Sequence, residues 1–122
     1  GLQECVVFMG FRADMPRVLD AIDIVVLPSL HEGLPLTAIE ASAMAKAIVA
    51  TAVDGTPEVV ADGVSGILVP PSDAPALARA LLWLVESGLP GMALTSRPGA
   101  DLAPGLFQPL LASCFPPPGV QW

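Results

Sequence analysis

The sequence predicts a Rossmann-like α/β fold, a parallel sheet with flanking helices, followed by an irregular Pro/Gly-rich tail. Three observations carry this. Short, almost wholly apolar runs alternate with segments of helical period, and such strands belong to parallel sheets covered on both faces. The linking turns are short, as right-handed βαβ crossovers allow. From about residue 88 onward the alternation stops.

The elements follow in order. Residues 5–9, CVVFM, are an apolar, β-branched run ending at Gly10 and read as a buried strand. Asp14 is placed to cap a helix whose Met15, Val18, Leu19 and Ile22 recur at helical spacing. Residues 23–27, DIVVL, form a second strand stopped by Pro28. Pro35 suits the first turn of the next helix, with Leu36, Ile39, Ala43 and Ala47 as its apolar face. Residues 47–51, AIVAT, are a third strand. Residues 56–62, TPEVVAD, can form a short helix with Thr56 as cap and Pro57 in its first turn. The turn DGVSG then leads into a fourth strand, 66–70. Asp73 caps a helix over 74–87, in which Leu77, Leu81, Leu84 and Val85 keep the spacing of one buried stripe.

Residues 88–122 hold seven prolines, five glycines and only two charged residues, Arg97 and Asp101. Pro116, Pro117 and Pro118 in a row forbid helix or central strand. The division is therefore an ordered domain over 1–87 and an irregular or disordered tail over 88–122, in which Leu106, Phe107, Leu110 and Leu111 could dock locally.

Composition bounds the function. The 122 residues are 53% hydrophobic and 14% charged, with a net charge of -7, a globular balance of one-domain size. Five Lys+Arg give no basic footprint for nucleic acid. No apolar run approaches the roughly 18 residues of a membrane-spanning helix, and no signal peptide is evident. Cys5 and Cys114 lie far apart without CxxC or Cys/His spacing, so neither a disulfide framework nor a zinc site is expected. A reduced, cytoplasmic setting follows, with peripheral membrane contact left open for a longer protein. The chain runs almost at once into a strand pattern and reads as a piece that begins mid-protein.

The segment most informative about chemistry is PSLHEGLPLTAIE, Pro28–Glu40. Glu32 sits in a Gly/Pro-punctuated loop, and Glu40 lies eight residues on, inside a helical pattern. Between them a helix begins. Two carboxylates so placed can each accept hydrogen bonds from hydroxyls, while the free N–H groups around Gly33–Leu36 attract an anion. Gly33 has no side chain to obstruct a ligand. In a parallel α/β sheet, ligands sit beyond the carboxyl ends of the strands. Both this loop and residues 51–56 lie at that edge. Read singly, Glu32 is a solvated loop acid and Glu40 a helix-surface residue; their joint framing favours a nucleotide-sugar.

PSLHEGLPLTAIEA, together with AIVATAVDGTPEVVADGVSGILVPPSD, resembles the donor-binding domain of family 4 (group 1) glycosyltransferases of the GT-B fold, over about Val6–Ser87. The resemblance implies a partial GT-B C-terminal domain that binds a nucleoside-diphosphate sugar and, in the full-length protein, transfers its hexosyl group to an acceptor. By it, Glu32 lies against the donor sugar's hydroxyls and Glu40 binds the ribose. Backbone N–H groups of Gly33, Leu34 and Leu36 reach the sugar and diphosphate, and Gly10–Arg12 forms a wall near the nucleobase, with Arg12 a candidate contact. No metal and no cofactor are implied, the nucleotide-sugar being a substrate, and most members retain anomeric configuration. No catalytic residue is assigned within this chain.

Several departures qualify the resemblance. The usual Gly-x-Pro after the helix is replaced by Ala45, Lys46 and Ala47, which removes the ordinary left-handed helix stop. Asp54–Gly55 replaces Gly-Gly, putting negative charge near the ligand edge. The family's diphosphate-binding Arg and Lys, and its acceptor domain with a catalytic His, would lie upstream. A shifted reading frame or truncated gene would produce the tail. The isolated chain is therefore expected to be inactive, with an open sheet edge where upstream strands are missing. The competing reading is a non-catalytic α/β binding module or a degenerate pseudoenzyme fragment. GxGxxG is absent, as are the acidic cluster and phosphorylatable Asp of a receiver domain, and one His builds no triad. His31 reads as incidental, Glu58 as a local cap or pair, Lys46 as a cation complementing the helix dipole, and Trp83 as helix packing.

Overall fold

The computed structural model describes residues 1–87, so expectations for residues 88–122 lie outside the described residues. These fall into two units, Gly1–Ala13 and a body beginning at Asp14. In the first unit, residues 5–9 form no strand. The chain turns at residues 3–5, with Cys5 N–H donating to Leu2 C=O at 2.9 Å, and Val7, Phe8 and Phe11 are exposed. An apolar run becomes a strand only where its backbone groups enter a ladder; among the described residues, 5–9 belongs to none. Cys5 is disulfide-bonded, which corrects the expectation drawn from cysteine spacing.

The body contains α1 (Met15–Ala21), β1 (Ile24–Leu27), α2 (Leu36–Ala43), β2 (Ala47–Thr51), α3 (Thr56–Val59), β3 (Ile67–Val69) and α4 (Ala74–Glu86). The strands form a parallel sheet in the order β1-β2-β3, with Val26 opposite Val49 and Ala50 opposite Leu68. All five residues of β2 are buried, because β2 is central and covered on both faces. Its side chains alternate between two cores, as strand geometry requires. Ile48 and Ala50 join Leu19, Val25, Ala38, Ala41 and Val60, while Ala47 and Val49 join Val69, Ala80 and Leu84. The first core is roofed by α1 and α2, the second by α4.

Helix ends show where the residue chemistry acts. Asp73 caps α4 as expected, its Oδ1 accepting from Ala76 N–H at 2.8 Å. Asp14 occupies the cap position of α1 without a side-chain cap bond. Gly55, not Thr56, caps α3, and Thr56 is buried one residue inside the helix. Pro35 stands at the cap of α2 rather than within its first turn.

The apolar face expected for α2 is also corrected. Ala38 and Ala41 are fully buried, whereas Leu36 and Ile39 are exposed and Ala43 faces solvent. Small residues at this spacing let the helix approach β1 and β2 closely, and the larger apolar side chains are turned outward. Trp83 is likewise 54% exposed, so it packs less than expected. The core stripe of α4 is Ala80 and Leu84, flanked by half-buried Leu77 and Leu81.

The loss of glycine after α2 does not abolish its left-handed stop. Ala45 adopts φ 55°, Lys46 N–H donates to Ala41 C=O at 2.9 Å, and Ala45 N–H donates to Ser42 C=O at 3.0 Å. That is the paired-bond pattern of a Schellman ending. Lys46 Nζ bonds Asp20 C=O at 3.1 Å, tying this end to α1. No helix among the described residues is long and apolar enough to cross a membrane.

Candidate functional site

The carboxyl ends of β1 and β2 open into two loops, Pro28–Pro35 and Ala52–Gly55, and side chains from both strand ends stitch them together. Thr51, the last residue of β2, is buried, and its Oγ1 bridges the carbonyls of Leu27 and Ser29 at 3.3 and 2.5 Å. This fixes the chain where β1 becomes loop. Ser29 Oγ then donates to Glu32 Oε2 at 3.1 Å, orienting the carboxylate.

Glu32 is held through its backbone as well. Its N–H donates to Asp54 Oδ2 at 2.9 Å, and its C=O accepts from Gly55 N–H at 3.2 Å. A Cβ on Gly55 would run into the carbonyl oxygen of Gly33, so the two loops meet at a point only glycine allows. His31 Nδ1 lies 3.5 Å from the same Asp54 oxygen, with its own side chain almost wholly exposed. His31, expected to be incidental, is thus in contact with the acid that holds its neighbour.

The remaining loop is open. A Cβ added to Gly33 would meet nothing within 4 Å, so no packing requires glycine there. Among the described residues, the N–H groups of Gly33, Leu34 and Thr37 donate to no protein acceptor, and they precede or begin α2. The Leu36 N–H, by contrast, donates to Leu34 C=O at 2.9 Å and is spent inside the loop. Leu34 and Leu36 present exposed side chains instead. Glu40 is exposed on α2, one turn beyond Leu36 on the same face, and its carboxylate makes no bond or ion pair among the described residues.

Arg12 is exposed and belongs to the first unit, whereas these loops belong to the second. Glu58 is exposed in the first turn of α3 and has no side-chain partner among the described residues, so the expected local cap or pair is not formed. A cleft of about 210 Å³ lies beyond the strand ends on the α4 side, between Pro28, Leu30, Thr51, Asp73 and Leu77. Neither glutamate lines it. The chemistry therefore sits on an open rim, beside a small apolar cleft rather than in it.

Residue-type reasoning missed Thr51 and Ser29 as stitching groups and read Asp54 only as negative charge near the ligand edge. A hydroxyl ending an apolar strand, and a serine three residues before Glu32, were the available signals. Chemically, the rim offers a fixed carboxylate, a second carboxylate one helical face away, and unengaged N–H groups between them. Such a set accepts hydroxyl hydrogen bonds and binds an anion.

Comparison with known proteins points the same way. The family model "Glycosyl transferases group 1" matches residues 1–87. The D-inositol 3-phosphate glycosyltransferase of Mycobacterium ulcerans is 43% identical over 107 residues, covering 84% of this chain and 23% of the relative. The amylovoran biosynthesis glycosyltransferase of Erwinia amylovora is 41% identical over 93 residues, covering 70% of this chain and 23% of the relative. Among solved structures, Anabaena HepE in complex with UDP and glucose superposes with a TM-score of 0.72 at 32% identity, covering 77% of this chain and 27% of that one. The chain thus spans about a quarter of the length of the proteins it matches.

Proposed function

This chain belongs to the group 1 glycosyltransferases, and from that premise we propose that it forms part of a GT-B donor-binding domain of the family 4 type. Its ligand is a nucleoside-diphosphate sugar, and the complete protein transfers the hexosyl group to an acceptor. The observation that carries the reading is the rim itself. Glu32 is clamped at the carboxyl edge of the sheet, and unengaged N–H groups separate it from Glu40. Complexes of HepE with UDP and with UDP-glucose supply the nucleotide class from a relative.

In this reading the Glu32 carboxylate accepts hydrogen bonds from the sugar hydroxyls, and Ser29 keeps one oxygen oriented while the other faces the ligand. Glu40 accepts from the ribose hydroxyls. The N–H groups of Gly33 and Leu34, aided by the start of α2, take the diphosphate oxygens. Leu36 lines the approach through its side chain. As the sugar–phosphate bond lengthens, charge grows on the leaving diphosphate, and fixed N–H dipoles stabilise it without reorganising. Glu32 orients the sugar and forms no covalent bond. Cations and an acceptor domain from the rest of the protein complete the transfer.

Calorimetry of the chain with UDP and UDP-glucose tests this. Glu40→Ala removes charge-assisted hydrogen bonds to the ribose, so affinity for both ligands is expected to fall about 10-fold or more. Absence of binding by the unsubstituted chain to any nucleoside diphosphate would favour a degenerate fragment instead.

A further inference from the structure

The acid at position 54 stands out because of what it touches. Asp54 carries a left-handed backbone, φ 42°, a conformation that costs a side-chain-bearing residue and that Asp and Asn tolerate best. Its Oδ2 accepts the Glu32 N–H at 2.9 Å and lies 3.5 Å from His31 Nδ1. The next residue, Gly55, returns a bond to Glu32 C=O at 3.2 Å and abuts Gly33. Residue 32 is therefore gripped on both sides of its own peptide by two successive residues of the other loop.

We infer that Asp54 is a positioning residue: its carboxylate latches the Glu32 backbone, and thereby sets where the Glu32 side chain stands. The role for ligand rests on the donor-site reading above; the latch itself does not. Without an acceptor at position 54, the Glu32 N–H turns to water and the loop keeps its tethers through Gly55 and Thr51. The left-handed backbone puts the Asp54 side chain back over the 28–33 loop, so the strained conformation and the latch belong together. His31 Nδ1 is a second group at the same oxygen, 3.5 Å away.

Two substitutions separate the latch from backbone effects. Asp54→Asn keeps an acceptor oxygen and tolerates the left-handed conformation. Asp54→Gly relaxes the backbone but removes the acceptor. Amide hydrogen exchange on the 122-residue chain reads the latch directly. Protection at Glu32 is expected to persist in Asp54→Asn and to fall about 10-fold in Asp54→Gly, as for loss of a hydrogen bond to a charged group. Unchanged exchange at Glu32 in Asp54→Gly would overturn the latch.

Calorimetry with UDP-glucose and with UDP reads the consequence. Asp54→Gly is expected to weaken UDP-glucose about 10-fold while UDP changes less than about 3-fold, because the displaced group serves the sugar. Equal weakening of both ligands would overturn the positioning of Glu32 and leave only general loop support. Failure of the unsubstituted chain to bind UDP-glucose, with Glu32 still protected, would strike the donor-site reading alone.

Discussion

Ala45 holds a conformation that its side chain opposes. At φ 55° its Cβ crowds the neighbouring carbonyl, at a cost of about 1–2 kcal/mol, yet the two bonds of the helix stop are both formed. Tertiary contacts over-determine the turn: Lys46 is tied to Asp20 and Ala47 begins the buried strand β2. Glycine would keep the bonds and release the strain, losing part of the gain to its freer unfolded chain. Ala45→Gly is therefore expected to stabilise the protein by about 0.5–1 kcal/mol, raising the thermal midpoint by roughly 2–6 °C. Calorimetric melting of the two chains checks it, and an unchanged or lowered midpoint would contradict the strain argument. The same residue marks a limit of sequence reading. Replacement of glycine forecasts an altered stop, but whether a stop survives depends on what surrounds it. The loop position of Glu32 and the helix position of Glu40 were legible in the sequence. The Asp54 bond to Glu32 joins residues 22 apart in sequence, and no local pattern encodes it.

Helix α2 shows the corresponding limit for an element. Its existence and start were readable from Pro35 and the following alanines, but its buried face was not. Period alone nominated Leu36 and Ile39 because they are the large apolar residues. The sheet selected Ala38 and Ala41, since a helix lying close over β1 and β2 has room only for methyl groups. The leucine and isoleucine are left on the rim beside Glu40. Ala38→Leu should therefore overpack the first core and destabilise by about 1–3 kcal/mol, whereas Ile39→Ala, on the exposed side, should cost no more than about 0.5 kcal/mol. Urea unfolding of both variants tests the assignment, and the reverse ranking would mean that α2 buries its other face. The strands 24–27, 47–51 and 67–69 were legible because buried parallel strands are continuous apolar runs bounded by turn residues. The run at 5–9 has the same composition without the ladder, and composition cannot supply a partner.

At the scale of the molecule, the proposed binding rim lies open among the described residues. Glu32 is half-buried, and Gly33, Leu34 and Glu40 are exposed. The adjoining cleft of about 210 Å³ is lined largely by apolar residues and excludes both glutamates. Hydrogen bonding at such a rim can hold a nucleotide-sugar, since contacts to hydroxyl and phosphate oxygens need only local geometry. Transfer demands more. The acceptor hydroxyl must be held against the anomeric carbon, a contribution of about 7–11 kcal/mol in well-oriented reactions, and water must be kept from the carbon once its bond to phosphate weakens. The dipoles at the start of α2 must also act in a sheltered medium, because solvent at a dielectric near 80 reduces a charge interaction at 4 Å to about 1 kcal/mol. An exposed rim provides none of these conditions. The 122-residue chain, about a quarter of the length of its relatives, is accordingly expected to bind UDP-glucose without turning it over. Incubation with radiolabelled UDP-glucose and simple sugar acceptors should yield neither glycoside nor free glucose above the buffer rate, while calorimetry on the same sample detects binding. Turnover by this chain alone would show that the rim encloses its substrate after all and that the separation of binding from transfer is wrong.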